Sequence, residues 1–193
     1  MKDKAIFKKG LPDLLVLVAF VLISFVYFSS AVMDGRKISQ HDSLAAVGQG
    51  QEARDYMARH DGERTRWTNS MFGGMPTYQM GPTYNSTKPL DAVKQAYQLF
   101  LPNYVYLVFI MMLGFYILMR ALGANYLISA LGAIIWAFSS YFFIIIAAGH
   151  IWKFITLAYI PPTIAGMILI YRQKYWVGAL LVMVFVAFQL SAN

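Results

Sequence analysis

Asp42 stands about nine residues after a long uncharged segment, in the stretch GRKISQHDSLAAVGQG (35–50). Two readings fit an acid in that place. As a helix N-cap it would accept hydrogen bonds from free backbone N–H groups of the next helix, worth roughly 0.5–2 kcal/mol. As a general base, or an acid that orients an acceptor, it would use a carboxylate whose affinity for protons rises as it is desolvated at a membrane surface. His150 and Lys153 lie in AGHIWKF, a short polar interruption between two apolar runs. They serve either as ordinary turn residues, with Trp152 in the aromatic belt, or as a grip on a phosphate at headgroup depth. Arg36 and Lys37 would face the same layer.

A second cluster is RWTNSMFGGMPTYQM (66–80). Trp67 and Tyr78 offer stacking faces, Asn69 a hydrogen-bonding amide, and Gly73 and Gly74 close backbone approach, with Pro76 shaping the turn. The set suits an acceptor or sugar loop, and equally a structured loop that uses Gly and Pro for its turns. NST at 85–87 matches a glycosylation sequon, a short string that occurs often by chance. The chain has no Walker A, Rossmann, HExxH or GxSxG string, and no cysteine. His41, His60 and His150 are too scattered to propose a metal site.

These residues must be positioned by elements whose character is set by composition. The 193 residues are 59% hydrophobic and only 13% charged, whereas soluble domains run near 45–50% and 25%. Five uncharged runs, 14–33, 101–119, 121–149, 154–171 and 175–193, approach the roughly 20 residues that cross a bilayer. Helices are the natural spanning form, because each satisfies its own backbone. The expected architecture is an all-α polytopic bundle. It has a cytoplasmic N-terminus (1–10), spans at 11–33, 101–120, 124–149, 152–171 and 175–193, and a first extracytoplasmic loop at 34–100. The first span reads as an uncleaved anchor, being longer than a signal-peptide core. The ending FQLSAN, with no polar tail, reads as the front part of a longer protein.

The net charge of +7 is mainly a topology signal. Lys2, Lys4, Lys8 and Lys9, then Arg120, then Arg172 and Lys174 all fall on one side of an alternating chain, the cytoplasmic side by the positive-inside rule. Nothing resembles a nucleic-acid module. Within the outer loop, residues 43–60 read as a helix starting at Asp42 or Ser43, with Gly48 and Gly50 weakening its middle. Residues 88–101 read as an amphipathic interfacial helix with Leu90, Val93, Tyr97 and Phe100 on one stripe. Ser139 and Ser140 are expected to bond back to the preceding turn, and Pro161–Pro162 to kink or unwind the fourth span.

The strings ISQHD, WTNSMFGGMPTYQ, GFYILMRALG, FSSYFFIIIAAGHIWKFITLAYIPP and FQLSAN resemble the YfhO family of bacterial membrane proteins, over essentially the whole chain from about residue 11. That family is similar to the GT-C glycosyltransferases, which transfer a sugar from a polyprenyl-phosphate carrier to an acceptor outside the cytoplasmic membrane. The resemblance implies a GT-C-like fold in the bacterial inner membrane, Asp42 as catalytic base or acceptor-positioning acid, and His150 and Lys153 as carrier-phosphate contacts. It also implies a lipid-linked sugar donor, a cell-envelope glycan or lipid as acceptor, and membrane lipids as surroundings. GT-C enzymes often carry a second acid in a later outer loop to hold a metal; the 149–153 turn offers His150 and Lys153 instead, so no metal ligand set is assigned.

Three functions therefore follow as expectations: a membrane glycosyltransferase, a transporter of a lipid-linked substrate, and a scaffold whose outer loop binds a partner. A transporter needs a polar path through the spans. Only Ser139, Ser140 and the Pro161–Pro162 pair offer one.

Overall fold

The computed structural model of the protein describes residues 2–36, 38–80 and 88–191. Lys37, the 85–87 sequon and the last two residues of the chain lie outside them.

The chain is mostly helical. Helices α1 (Lys2–Tyr27) and α2 (Ser29–Met33) lead to the long segment between apolar helices, which holds α3 (His41–Gln49), α4 (Gln51–Arg59), strands β1 (Trp67–Thr68) and β2 (Met75–Pro76), and α5 (Lys88–Tyr97). Then follow α6 (Val105–Leu122), α7 (Tyr126–Ala137), α8 (Ser140–Ala148), α9 (Ile151–Tyr171) and α10 (Tyr175–Leu190). Helix α6 is the hub, buried almost all round from Leu107 to Met112. It packs on α1, α7 and α9, and α9 in turn packs on α10. A helix apolar on every side belongs inside a bundle or a membrane. The outward faces are apolar as well, with Leu15, Leu22, Leu131, Ile135 and Met183 each about 60% exposed or more. An aqueous protein does not expose so continuous an apolar surface.

Among the described residues three helices are long and apolar enough to cross a membrane: the Gly10–Tyr27 part of α1, α6 and α9. Helices α7 and α8 meet at a 43° bend, a geometry of either a broken span, which would be a fourth, or a re-entrant loop. Helix α10 has 16 residues, shorter than the expected 175–193 segment.

Close approach between helices is set by glycines and a polar clasp. A Cβ on Gly114 of α6 would lie 2.5 Å from the carbonyl oxygen of Ala158 on α9. That carbonyl is one of two released because Pro161 and Pro162 have no N–H, and the Gly114 Cα–H faces it as a weak donor. The Thr163 hydroxyl donates to Tyr159 O at 2.8 Å, and the Gln189 amide of α10 donates to Thr163 Oγ1 at 2.7 Å. Helix α9 stays one helix through the prolines, so the expected unwinding does not occur. The break falls instead at Ser139, whose backbone is extended (ψ 133) and which starts α8 without a side-chain cap hydrogen bond. Helices α9 and α10 cross at a glycine pair, where a Cβ on Gly178 would lie 2.6 Å from Gly166 O.

One end of the bundle gathers the basic residues. Arg120 is 3.0 Å from Asp13, to which Tyr116 also donates a hydrogen bond. Arg172 donates to Ala121 O at 2.7 Å and Leu122 O at 3.1 Å, a cation on the carbonyl end of α6. Gly123, at φ 97, closes that helix.

Three outer elements differ from expectation. The 43–60 helix is two helices divided at Gly50, whose backbone (φ −83, ψ 1) leaves the helical region. The first begins at His41 with Gln40 as its N-cap, so Asp42 lies in the first turn and is not the cap. The amphipathic helix stops at Tyr97, because Leu99 and Phe100 take left-handed backbone (φ 52 and 53) ahead of Pro102. Its stripe divides accordingly: Leu90 and Tyr97 pack on the core, while Val93 and Phe100 are exposed.

Candidate functional site

The site forms where the first turn of α3 meets the end of α8. Helix α8 closes at Gly149, at φ 103, where the Gly149 N–H reaches Ile146 O and the His150 N–H returns to Ile145 O. This left-handed closure suits glycine and fixes where His150 leaves the helix. The same glycine lets α3 come in: a Cβ there would meet Ser43 Oγ at 3.0 Å, Ser43 N at 3.1 Å and Asp42 Cβ at 3.4 Å. Gln40 pins the junction. It is buried, its amide donates to Ile146 O at 2.6 Å, and its carbonyl oxygen accepts from Ser43 Oγ at 3.1 Å.

The outcome is an acid–imidazole pair. Asp42 Oδ2 lies 3.2 Å from His150 Nε2, across more than a hundred residues of sequence, with both side chains about half exposed. Contact with one imidazole nitrogen occupies Oδ2 and leaves Oδ1 to accept a proton from another molecule. Lys153, on the next turn of α9, is exposed and sits over the Tyr141 ring, 5.6 Å from its centroid. Arg36 pairs with Asp34 at 3.2 Å rather than with the Asp42–His150 pair.

The aromatic loop is a separate construction. Its centre is Glu52 on α4, a residue that sequence reasoning did not single out. Glu52 Oε2 accepts from the Thr68 hydroxyl at 2.6 Å and the Asn69 backbone N–H at 2.8 Å. Ser70 Oγ ties the loop to the Gln49 carbonyl at 2.6 Å. The Thr68 hydroxyl holds the Glu52 carboxyl below the usual carboxylate range, helped by backbone N–H groups of Asn69 and Ser70 and opposed by partial burial. Asn69 Oδ1 accepts from Trp67 Nε1 at 3.1 Å, so this amide orients the indole. Gly74, at φ 125, passes under the ring, where a Cβ would lie 2.7 Å from Trp67 Cζ2. Pro76 pairs with Trp67 in the two-residue ladder. Beyond the ladder Phe72 projects, 93% exposed, with Gly73 beside it at φ 73, and Tyr78 is 69% exposed.

The structure thus joins Asp42 to His150 and, separately, Trp67 and Asn69 to Glu52. Among the described residues no hydrogen bond or ion pair links Asp42 or His150 to Trp67, Asn69 or Tyr78. A three-residue TNS string opposite an acid some sixteen positions earlier carries no periodic signal, so sequence reasoning does not reach the Glu52 centre. No family model matches the chain, and neither a curated protein nor a solved structure matches it.

Proposed function

We propose that the chain works at the outer surface of a bacterial cytoplasmic membrane as a GT-C-like glycosyltransferase, moving a sugar from a polyprenyl-phosphate carrier to a cell-envelope glycan or lipid. Its N-terminus and the Arg120 and Arg172 end face the cytoplasm in this reading. The observation that carries it is the Asp42–His150 pair, built by a dedicated junction at the loop end of the bundle. An acceptor hydroxyl gives its proton to Asp42 Oδ1 as its oxygen bonds to the sugar's anomeric carbon. The bond from that carbon to the carrier phosphate breaks, and the electron pair leaves on phosphate. His150 holds Asp42 in place. Lys153 supplies positive charge for the departing phosphate. One base with direct displacement makes the transfer inverting.

The test is transfer from a radiolabelled carrier-linked sugar in membranes containing the protein. Asp42→Asn is expected to lower the rate by about 10²–10⁴-fold, the range of a general base, with unchanged expression. Full activity in that variant overturns the assignment.

One feature favours a second reading, a scaffold. Trp67, Phe72 and Tyr78 stand exposed on a loop held by internal hydrogen bonds, as an aromatic protein contact would. A co-purifying protein lost on altering residues 67–79 would support it.

A further inference from the structure

The β1–β2 hairpin ends in an aromatic tip left bare by the rest of the described chain. Its strands pair Trp67 with Pro76 and Thr68 with Met75, and Phe72 lies in the turn between them. Phe72, Gly73 and Gly74 take left-handed backbone in succession, at φ 52, 73 and 125. Glycine adopts that region freely, whereas a bulky side chain is strained there. The Phe72 ring is 93% exposed, so no contact within the protein offsets the strain. The hairpin itself is fixed: Glu52 accepts from Thr68 and Asn69, and Ser70 donates to the Gln49 carbonyl. A strained residue presented outward on a rigid mount points to something that it meets.

Two observations bear on what that is. First, the hairpin is tied to α3, which is exposed at every residue from Leu44 to Gln49 and has no charge from Ser43 onward. A nine-residue helix standing alone in water is marginal. Leu44 and Val47, three positions apart and both exposed, give it an apolar side. Because α3 starts against the end of α8, the apolar phase within reach of that side is the bilayer around the bundle. Second, no Asp or Glu occurs from residue 64 to residue 90, a stretch that holds Arg64, Arg66 and Lys88. Arg66 is exposed beside Trp67, and among the described residues no carboxylate lies within ion-pair distance of it.

We propose that the hairpin is an anchor in the headgroup layer of an anionic phospholipid bilayer, the protein's own. Phe72 enters the acyl boundary, Trp67 and Tyr78 stand at headgroup level, and Arg66 meets lipid phosphate. Trp and Tyr suit that layer because each joins an apolar ring to a polar N–H or O–H. Basic residues without neighbouring acids suit an anionic surface. A protein partner would use the aromatic rings equally well, but it accounts neither for the missing acids nor for the bare α3. Insertion also fixes the height of α3, and with it Asp42 in its first turn. The proposal stands on the apolar helices and is independent of sugar transfer.

The chain has no cysteine, so a single spin label reports its own depth. Phe72→Cys and Glu63→Cys are labelled in the whole chain. They are compared in nanodiscs of phosphatidylcholine and of an equal mixture with phosphatidylglycerol. Collisions with oxygen, which concentrates in lipid, and with a nickel chelate, which stays in water, place each label. The label at 72 is expected to favour oxygen and the label at 63 nickel. Arg66→Ala should lower the ratio of inserted to solvated label at 72 about fivefold in the anionic discs, the share of one cation at a charged surface. It should leave that ratio unchanged in neutral discs. Tyr78→Cys keeps the native phenylalanine, and adding Phe72→Asp should move that label from oxygen toward nickel. Labels at 72 and 78 that meet nickel in both discs overturn the proposal. So do labels shielded from both reagents, as a protein contact would leave them, and insertion indifferent to Phe72→Asp or to lipid charge.

Discussion

At the scale of single residues, Gly149 is the position on which the acid–imidazole pair depends. It ends α8 in a backbone region that L-residues rarely adopt, and its missing side chain admits Ser43 and Asp42. Gly149→Ala is therefore expected to cost on the order of 1–3 kcal/mol in backbone strain and to part Asp42 from His150. Thermal unfolding checks the first effect. The second would appear in the NMR chemical shifts of the His150 ring, which should respond to Asp42→Asn in the native chain and not in Gly149→Ala. Glu52 predicts a pH response of definite sign. Its carboxyl is held below the usual range, so the order it gives the 67–76 loop is fully present above the ordinary carboxylate value and disappears as pH falls through the lower folded value. The signal of Trp67, isolated by comparison with Trp67→Phe, should change there, and Glu52→Gln should abolish that change. Asp42, His150 and the Trp67 loop were legible in the sequence as chemically able residues standing outside apolar runs. Their partnership was not, since Asp42 and His150 are separated by most of the chain. Glu52 was hidden because its partners are one hydroxyl and backbone groups, which no residue type announces.

At the scale of elements, hydropathy located every apolar helix but not its breaks. A double proline predicts a rupture when only its own helix is considered. Here the Gly114 Cα–H faces the freed Ala158 carbonyl, Thr163 and the Gln189 amide tie α9 to α10 one turn on, and the helix continues. The bend at Ser139 had only a weak local signal. Gly114→Val would drive a branched side chain into the Ala158 carbonyl. It should cost about 1–3 kcal/mol, as overpacked cores do, and separate α6 from α9. A lower unfolding temperature in detergent, less lowered by Gly114→Ala than by Gly114→Val, is the expected result. The 43–60 segment shows the reverse case: its helical residues were legible, and so was Gly50 as the weak point, but capping could not be assigned. Gln40 takes that position because its side chain reaches Ile146 on another helix, a tertiary contact that overrides the local preference for Asp or Ser.

For the whole molecule, Arg120 and Arg172 share one end of the bundle and the Asp42–His150 pair belongs to the other. The chain has no cysteine, so it is its own background for labelling. A cysteine at Glu63 is expected to react with an impermeant maleimide on intact cells, and one at Gln173 only after the membrane is opened. The opposite pattern would invert the proposed orientation. The bend between α7 and α8 has a mechanical consequence. Helix α8, nine residues long, is a lever of roughly 13 Å at 1.5 Å per residue, hinged at Ser139 and carrying His150 at its tip. A tilt of about 5° moves such a tip by roughly 1 Å, enough to open a 3.2 Å contact beyond hydrogen-bonding reach. The angle at that bend thereby governs whether the carboxylate and the imidazole touch.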